Sequence, residues 1–244
     1  MDYFDSAKSS REIIASIVLD SVKTIPALVG EIFSEEEREI SAVYEGVLRG
    51  ISTGKVNSGA LSSHLYSKKL IKKDDPSIIQ QYLNNLISFG IIRRIGIYGK
   101  KRFAYKVSSP LARIFYYLDE KYNISERPLK EKDIIEYLAE LMPKVVEDNV
   151  REYFAEELGL TETILQSSDY EVDGCLLKFK KPDIALEIKW GACSKADISK
   201  AEQALSKISA RKMIIFVQDK KKASSKLMVL DVNDLTRLAG MLRN

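Results

Sequence analysis

The chain has 244 residues, 45% of them hydrophobic, enough for one large domain or two ordinary ones with a genuine core. Its 38 Lys and Arg against 35 Asp and Glu leave a formal charge of only +3, which by itself selects no partner. No run nears the ~20 apolar residues that span a bilayer, the first residues carry no charged-then-apolar leader, and two cysteines with one histidine fit neither a disulfide framework nor a zinc site. A cytoplasmic protein without structural zinc is therefore expected.

Residues 1–34 contain "EIIASIVLD" and "IPALVGEIF", two short helices interrupted by Pro26, which form a helical arm. A longer helix follows, with Ser34 as its cap, acids in its first turn and Ile40, Val43, Tyr44, Val47, Leu48 and Ile51 at helical spacing; Gly54 closes it. "SGALSSHLY" forms a second helix, with His64 on its surface and no Ser/Asp constellation around it, so serine and cysteine hydrolase chemistry lacks support. For a third, Asp75 supplies the cap and Pro76 the first position. Ile78, Ile79, Tyr82, Leu83, Leu86 and Ile87 make its apolar face, and Gly90 ends it. "IIRRIGIYGKKRFAYKV" then forms a hairpin around Gly99.

Three helices and a basic hairpin make a winged helix-turn-helix pattern over residues 35–126. Ser77, Gln80, Gln81 and Asn84 fall on the solvent side of the third helix, where short polar groups reach base edges. Arg93, Arg94, Lys100, Lys101 and Arg102 on the wing suit phosphates. Lys68, Lys69, Lys72, Lys73 and Lys106 add to the same basic segment, opposed only by Asp74 and Asp75. Double-stranded DNA is the expected partner; protein docking and a plain solvated lysine surface are the alternatives.

Asn123, Ser125 and Pro128 break the helical pattern and mark a boundary, so residues 127–244 form a second domain. A helix to Leu158 leads into a strand pair around "TILQSSDYEVDGCLLKFK", the strand "DIALEIKW", the helix "SKADISKAEQALSKIS", the strands "RKMIIFVQ" and "KLMVLD", and a final helix "NDLTRLAGML". The fold class is α+β or α/β with two domains, the second an α-β-β-β-α-β sandwich.

Within "DIALEIKW", Ile184, Leu186, Ile188 and Trp190 share one strand face, and Asp183, Ala185, Glu187 and Lys189 the other. "YEVDGCLLKFKKPDIALEIKW" resembles the signature of the PD-(D/E)XK, or restriction-endonuclease-like, nucleases, in which acids on neighbouring strands and an acid-x-Lys gather at a divalent metal. Asp183 follows a Pro, but four residues separate it from Glu187, roughly 13 Å along the strand, too far to share an ion. Asp173 is the better partner, because a hairpin across "GCLLKFKKP" sets its strand about 4.8 Å from that of Glu187. The resemblance implies Mg²⁺ or Mn²⁺ on Asp173 and Glu187, with Lys189 orienting the attacking water or stabilising phosphorane charge. It also implies one more acid from the upstream helix, Glu147, with Glu152 as the fallback. A salt-bridged face at a sheet edge is the plain alternative.

"YEGVLRGISTGKVNSGALSSHL", "IIQQYLNNLISFGIIRR", "FAYKVSSPLARIFYY" and "YEVDGCLLKFKKPDIALEIKW" together resemble the C-terminal half of archaeal AAA-type ATPases over roughly residues 40–242, with residues 1–34 similar to the end of the ATPase lid. The chain departs from that family in lacking G-x-x-x-x-G-K-[ST]; "GISTGKV" has three residues between its glycines and no hydroxyl after its lysine. No ATP site is expected here, and the resemblance implies either a piece of an ATPase or a relative that works with a separate one. Three functions follow: a metal-dependent DNA-processing enzyme, a non-catalytic DNA- or protein-binding module, or a regulator of an ATPase.

Overall fold

A computed structural model describes residues 8–32, 38–127, 129–166 and 171–242. It is a mixed α+β structure that divides into two compact units, one comprising the chain to Arg94 with Ala104–Leu141, the other Ile95–Phe103 with the chain from Met142.

In the first unit α1 (Ser10–Ser21) opens with a reciprocal cap between Ser9 and Glu12, and α2 (Thr24–Ile32) follows. The break falls at residues 22–23, not at Pro26, which sits in the first turn of α2 where its missing N–H has no intrahelical partner to lose. α3 (Arg38–Ser52) buries Val43, Tyr44, Val47, Leu48 and Ile51, and Gly54 adopts φ +95° after it. Ser34, its expected cap, lies outside the described residues, as does Pro128. α4 (Ser58–Ser67) is capped by Asn57, whose Oδ1 accepts from Ala60 N–H at 2.9 Å.

α5 (Gln80–Ser88) is shorter than its sequence pattern. Asp75 Oδ1 accepts from both the N–H and the hydroxyl of Ser77, at 2.9 and 2.8 Å, and this local turn replaces a helix cap, so the helix starts at Gln80. Ile78 is consequently exposed while Ile79, Leu83 and Leu86 are buried. β1 (Ile92–Ile97) and β2 (Phe103–Val107) flank Gly99, whose φ is +73°. α6 (Pro110–Tyr122) buries Ile114, Phe115 and Leu118 and ends at left-handed Asn123.

His64 is not a surface residue. It is buried against α3 at Gly50, where a Cβ would sit 3.0 Å from its ring. Burial holds its pKa below the ordinary value against the pull of Glu120, 3.9 Å away. Lys106, counted in the basic segment, is likewise buried.

α7 (Glu131–Leu158) supplies residues to both units. The division after Leu141 lies some fifteen residues beyond the break in sequence pattern and just before Pro143, which deprives the Ala139 carbonyl of its helical donor. β3 (Thr163–Gln166), β4 (Glu171–Val172), β5 (Gly174–Lys178), β6 (Lys181–Lys189), α8 (Lys195–Leu205), β7 (Lys212–Val217), β8 (Met228–Leu230) and α9 (Leu238–Leu242) follow, with 3₁₀ turns at 220–222 and 232–237. The strands form two mixed sheets, ordered β2-β1-β3-β4 and β5-β6-β7-β8. β5 and β6 are an antiparallel hairpin, while β6, β7 and β8 run parallel, with α8 as the crossover between β6 and β7. The hairpin tip belongs to the second unit because Gly96 and Ile97 pair in parallel with Thr163 and Ile164.

β6 is therefore an interior strand covered on both faces. Ile184, Leu186 and Ile188 pack with Phe154 of α7, Phe216 and Leu238. Ala185 packs with Ile198 and Leu205 of α8. Among the described residues no helix is long and apolar enough to cross a membrane. Phe154, fully buried and edge-on to Phe216 at 6.1 Å, anchors the first of these cores. Phe154→Ala should cost about 3–5 kcal/mol of unfolding free energy in urea titration, while exposed Glu156→Ala should change it by under about 0.5 kcal/mol.

Candidate active site

The pairing of Gly174 with Leu186 fixes the register of the β5–β6 hairpin and brings Asp173, just before β5, level with Glu187. Asp173 Oδ2 accepts from the Ile188 N–H at 2.8 Å. Lys189 Nζ lies 2.6 Å from Glu187 Oε2 and 3.8 Å from Asp173 Oδ2. The carboxylates expected to converge do so, on a single ammonium. Asp183, passed over on distance grounds, is engaged by Arg211 through two bonds of 2.9 Å.

Glu187 is only 4% exposed, although the plain alternative would put it at a solvent-washed edge. Burial first and the charge of Asp173 second push its carboxyl up to about 7. Burial and the charge of Glu147 likewise raise Asp173. Burial alone would lower Lys189, but Asp173 and Glu187 outweigh it and hold the ammonium above its usual value. Two raised acids, Glu187 buried and Asp173 half-buried, with a cation between them, mark a candidate functional site.

Glu147 lies near enough to act electrostatically on both Asp173 and Lys189. Its own oxygens, however, are taken by Lys144 at 2.6 and 2.8 Å and by Arg151 at 3.4 Å. Glu152, the fallback, borders a different depression with Tyr153, Glu156 and Leu235. Among the described residues no three His, Cys, Asp or Glu side chains are grouped to hold a metal. The structure thus joins Asp173 and Glu187 and sets Glu147 beside them.

Arg151 is the residue that sequence reasoning missed. It is fully buried and donates to Glu162 Oε1 at 2.6 Å, Asp148 Oδ1 at 2.5 Å and the Asp173 carbonyl at 2.6 Å. Gly174 permits this approach, since a Cβ there would meet Arg151 Cδ at 3.1 Å and Leu186 Cβ at 3.3 Å. Glu147, Asp148 and Arg151 at helical spacing were visible in the sequence as a surface pattern; the burial of Asp148 and Arg151 was not.

Ser77, Gln80, Gln81 and Asn84 are all exposed, with Gln80 donating to Asn84 at 3.3 Å. They lie in the first unit with Arg93 and Arg94, whereas exposed Lys100, Lys101 and Arg102 lie in the second. Searched against family models, curated proteins and solved structures, the chain matches none of them.

A carboxyl raised in the folded state binds its proton more tightly there than in the unfolded chain. Its contribution is therefore fully present below about pH 4.5 and is lost as pH climbs from there through about 7. Without divalent ions, wild-type stability should fall between pH 5 and 8 more steeply than that of Glu187→Gln, followed by thermal melting. Arg151→Leu removes the buried guanidinium that pairs with Asp148 and Glu162 and should cost about 3–5 kcal/mol in urea titration.

Proposed function

We propose that this chain is a DNA-binding protein with a metal-dependent nuclease-like site, acting in DNA processing and related to the C-terminal regions of archaeal AAA-type ATPases. In this reading α3, α4, α5 and the β1–β2 hairpin are a winged helix for double-stranded DNA, α7 to α9 are a restriction-endonuclease-like domain, and the protein is cytoplasmic. The observation that carries it is the convergence of half-buried Asp173 and buried Glu187 on one cation, Lys189 Nζ.

The donor set suits Mg²⁺ or Mn²⁺. Both are hard cations that take carboxylate oxygen, and Mg²⁺ commonly keeps several waters and uses only one or two carboxylates. Asp173 and Glu187 would hold the ion, and Glu147 would add charge nearby. The ion supplies Lewis-acid polarisation of a phosphate and a more acidic water. The protein's own part is positional. The Ile188 N–H fixes Asp173, burial keeps bulk water from Glu187, and Lys189 offers a cation to a phosphate oxygen.

A second reading has its own support, because Lys144 and Arg151 already satisfy Glu147 and Lys189 satisfies Glu187. That closure favours a non-catalytic module that binds DNA or a partner and regulates a separate ATPase. Supercoiled plasmid with Mg²⁺ or Mn²⁺ separates the two. On the nuclease reading wild type nicks it, and Asp173→Ala and Glu187→Ala each lose about 100-fold or more of the rate, the scale of a lost metal contribution. Equal nicking by all three proteins, or none by any, would leave the binding module.

A further inference from the structure

At the end of the β5–β6 hairpin farthest from Glu187, four consecutive residues, Lys178, Phe179, Lys180 and Lys181, are all exposed. Lys178 pairs with Lys181, so Phe179 and Lys180 are a two-residue turn with φ of +49° and +66°. Such a turn normally carries Asn-Gly, and neither a phenylalanine nor a lysine adopts that region without strain. The aromatic ring is 90% exposed, more than any other large apolar side chain among the described residues. Nothing about folding calls for a phenylalanine there: Asn-Gly would relieve the backbone and remove the exposed ring. The sequence from Gly174 to Pro182 holds no carboxylate, and Asp183, the first to follow, is engaged by Arg211. Beside the turn opens a pocket of about 420 Å³ lined by Lys178, Phe179, Lys180, Leu160, Leu177 and Arg211.

We infer that this turn is a binding finger for single-stranded nucleic acid, with a base stacked on the Phe179 ring and phosphates held by Lys178, Lys180 and Lys181. An aromatic face flanked by cations is the arrangement that binds single strands without reading sequence. A duplex hides the base faces that a protruding ring needs. An anionic membrane would also attract the lysines, but attachment there scales with buried apolar area, and one phenylalanine between lysines offers little. Lys181 and Glu187 lie six residues apart on β6, so the finger stands roughly 20 Å from the candidate active site. The inference does not depend on that site being catalytic, since it concerns a separate surface and needs no metal.

Anisotropy of a fluorescein-labelled oligothymidylate, titrated with the full chain in EDTA at several salt concentrations, tests it. Phe179→Ala should weaken binding about tenfold, and Phe179→Trp should keep wild-type affinity. The triple change Lys178→Gln, Lys180→Gln and Lys181→Gln should lower the slope of log Kd against log salt by about 2, at ~0.7 per phosphate contact. Unchanged melting temperatures would exclude misfolding, which exposure of these side chains already argues against. Wild-type-like binding by both variants overturns the inference, as does loss of binding to phosphatidylserine vesicles on Phe179→Ala with oligothymidylate binding untouched. The assay contains EDTA and reads binding alone, so it needs neither a divalent ion nor hydrolysis. Failure of the nuclease reading therefore leaves this result standing.

Discussion

In the second unit a buried carboxylate, Glu187, and a half-buried one, Asp173, lie beside one ammonium, and accommodating their charge is the constraint around which that region is organised. Burial alone costs a carboxylate its hydration, and a like charge nearby compounds the cost. Each is raised, Asp173 by burial and the charge of Glu147, Glu187 by burial and the charge of Asp173. Lys189 answers with an ammonium 2.6 Å from one and 3.8 Å from the other, and the Ile188 N–H answers with a hydrogen bond. A divalent ion at the same point would bring twice the charge. The arrangement is therefore poised between an internal ion pair and a metal site, and the proposed function turns on which of the two prevails.

The surrounding fold exists to make that crowding possible. β6 runs between β5 and β7, and helices cover both its faces, so Glu187 is kept from water without being at an edge. The β5–β6 register delivers Asp173 to the same level. Gly174 opens just enough space for Arg151 to reach the Asp173 carbonyl, and Arg151 is in turn locked by Asp148 and Glu162. A buried guanidinium with every face engaged holds backbone position more rigidly than apolar packing would, because any displacement exposes an unpaired charge.

Much of this was legible in the sequence where the signal is local. Alternation in "DIALEIKW" gave the two faces of β6, and the span to Leu158 gave the end of α7, because period-2 and period-3.6 patterns are written in consecutive residues. The choice of Asp173 over Asp183 rested on strand spacing; Asp183 is paired with Arg211. What failed was non-local. The pairing of Gly96 with Thr163 and the burial of Arg151 and His64 depend on segments far apart in sequence. At Asp75 and Pro76 two rules competed, and the side-chain turn to Ser77 won over the helix start.

Calorimetric titration of Mn²⁺ into the chain at pH 7, repeated in two buffers of different ionisation enthalpy, addresses the central claim most directly. If Asp173 and Glu187 form a divalent-cation site, one ion binds and the buffer dependence reports net proton release, because the ion displaces the proton that Glu187 partly retains at that pH. Glu187→Gln should abolish the release and weaken binding. Absence of binding, or binding and proton release unaltered by Glu187→Gln, would contradict the account.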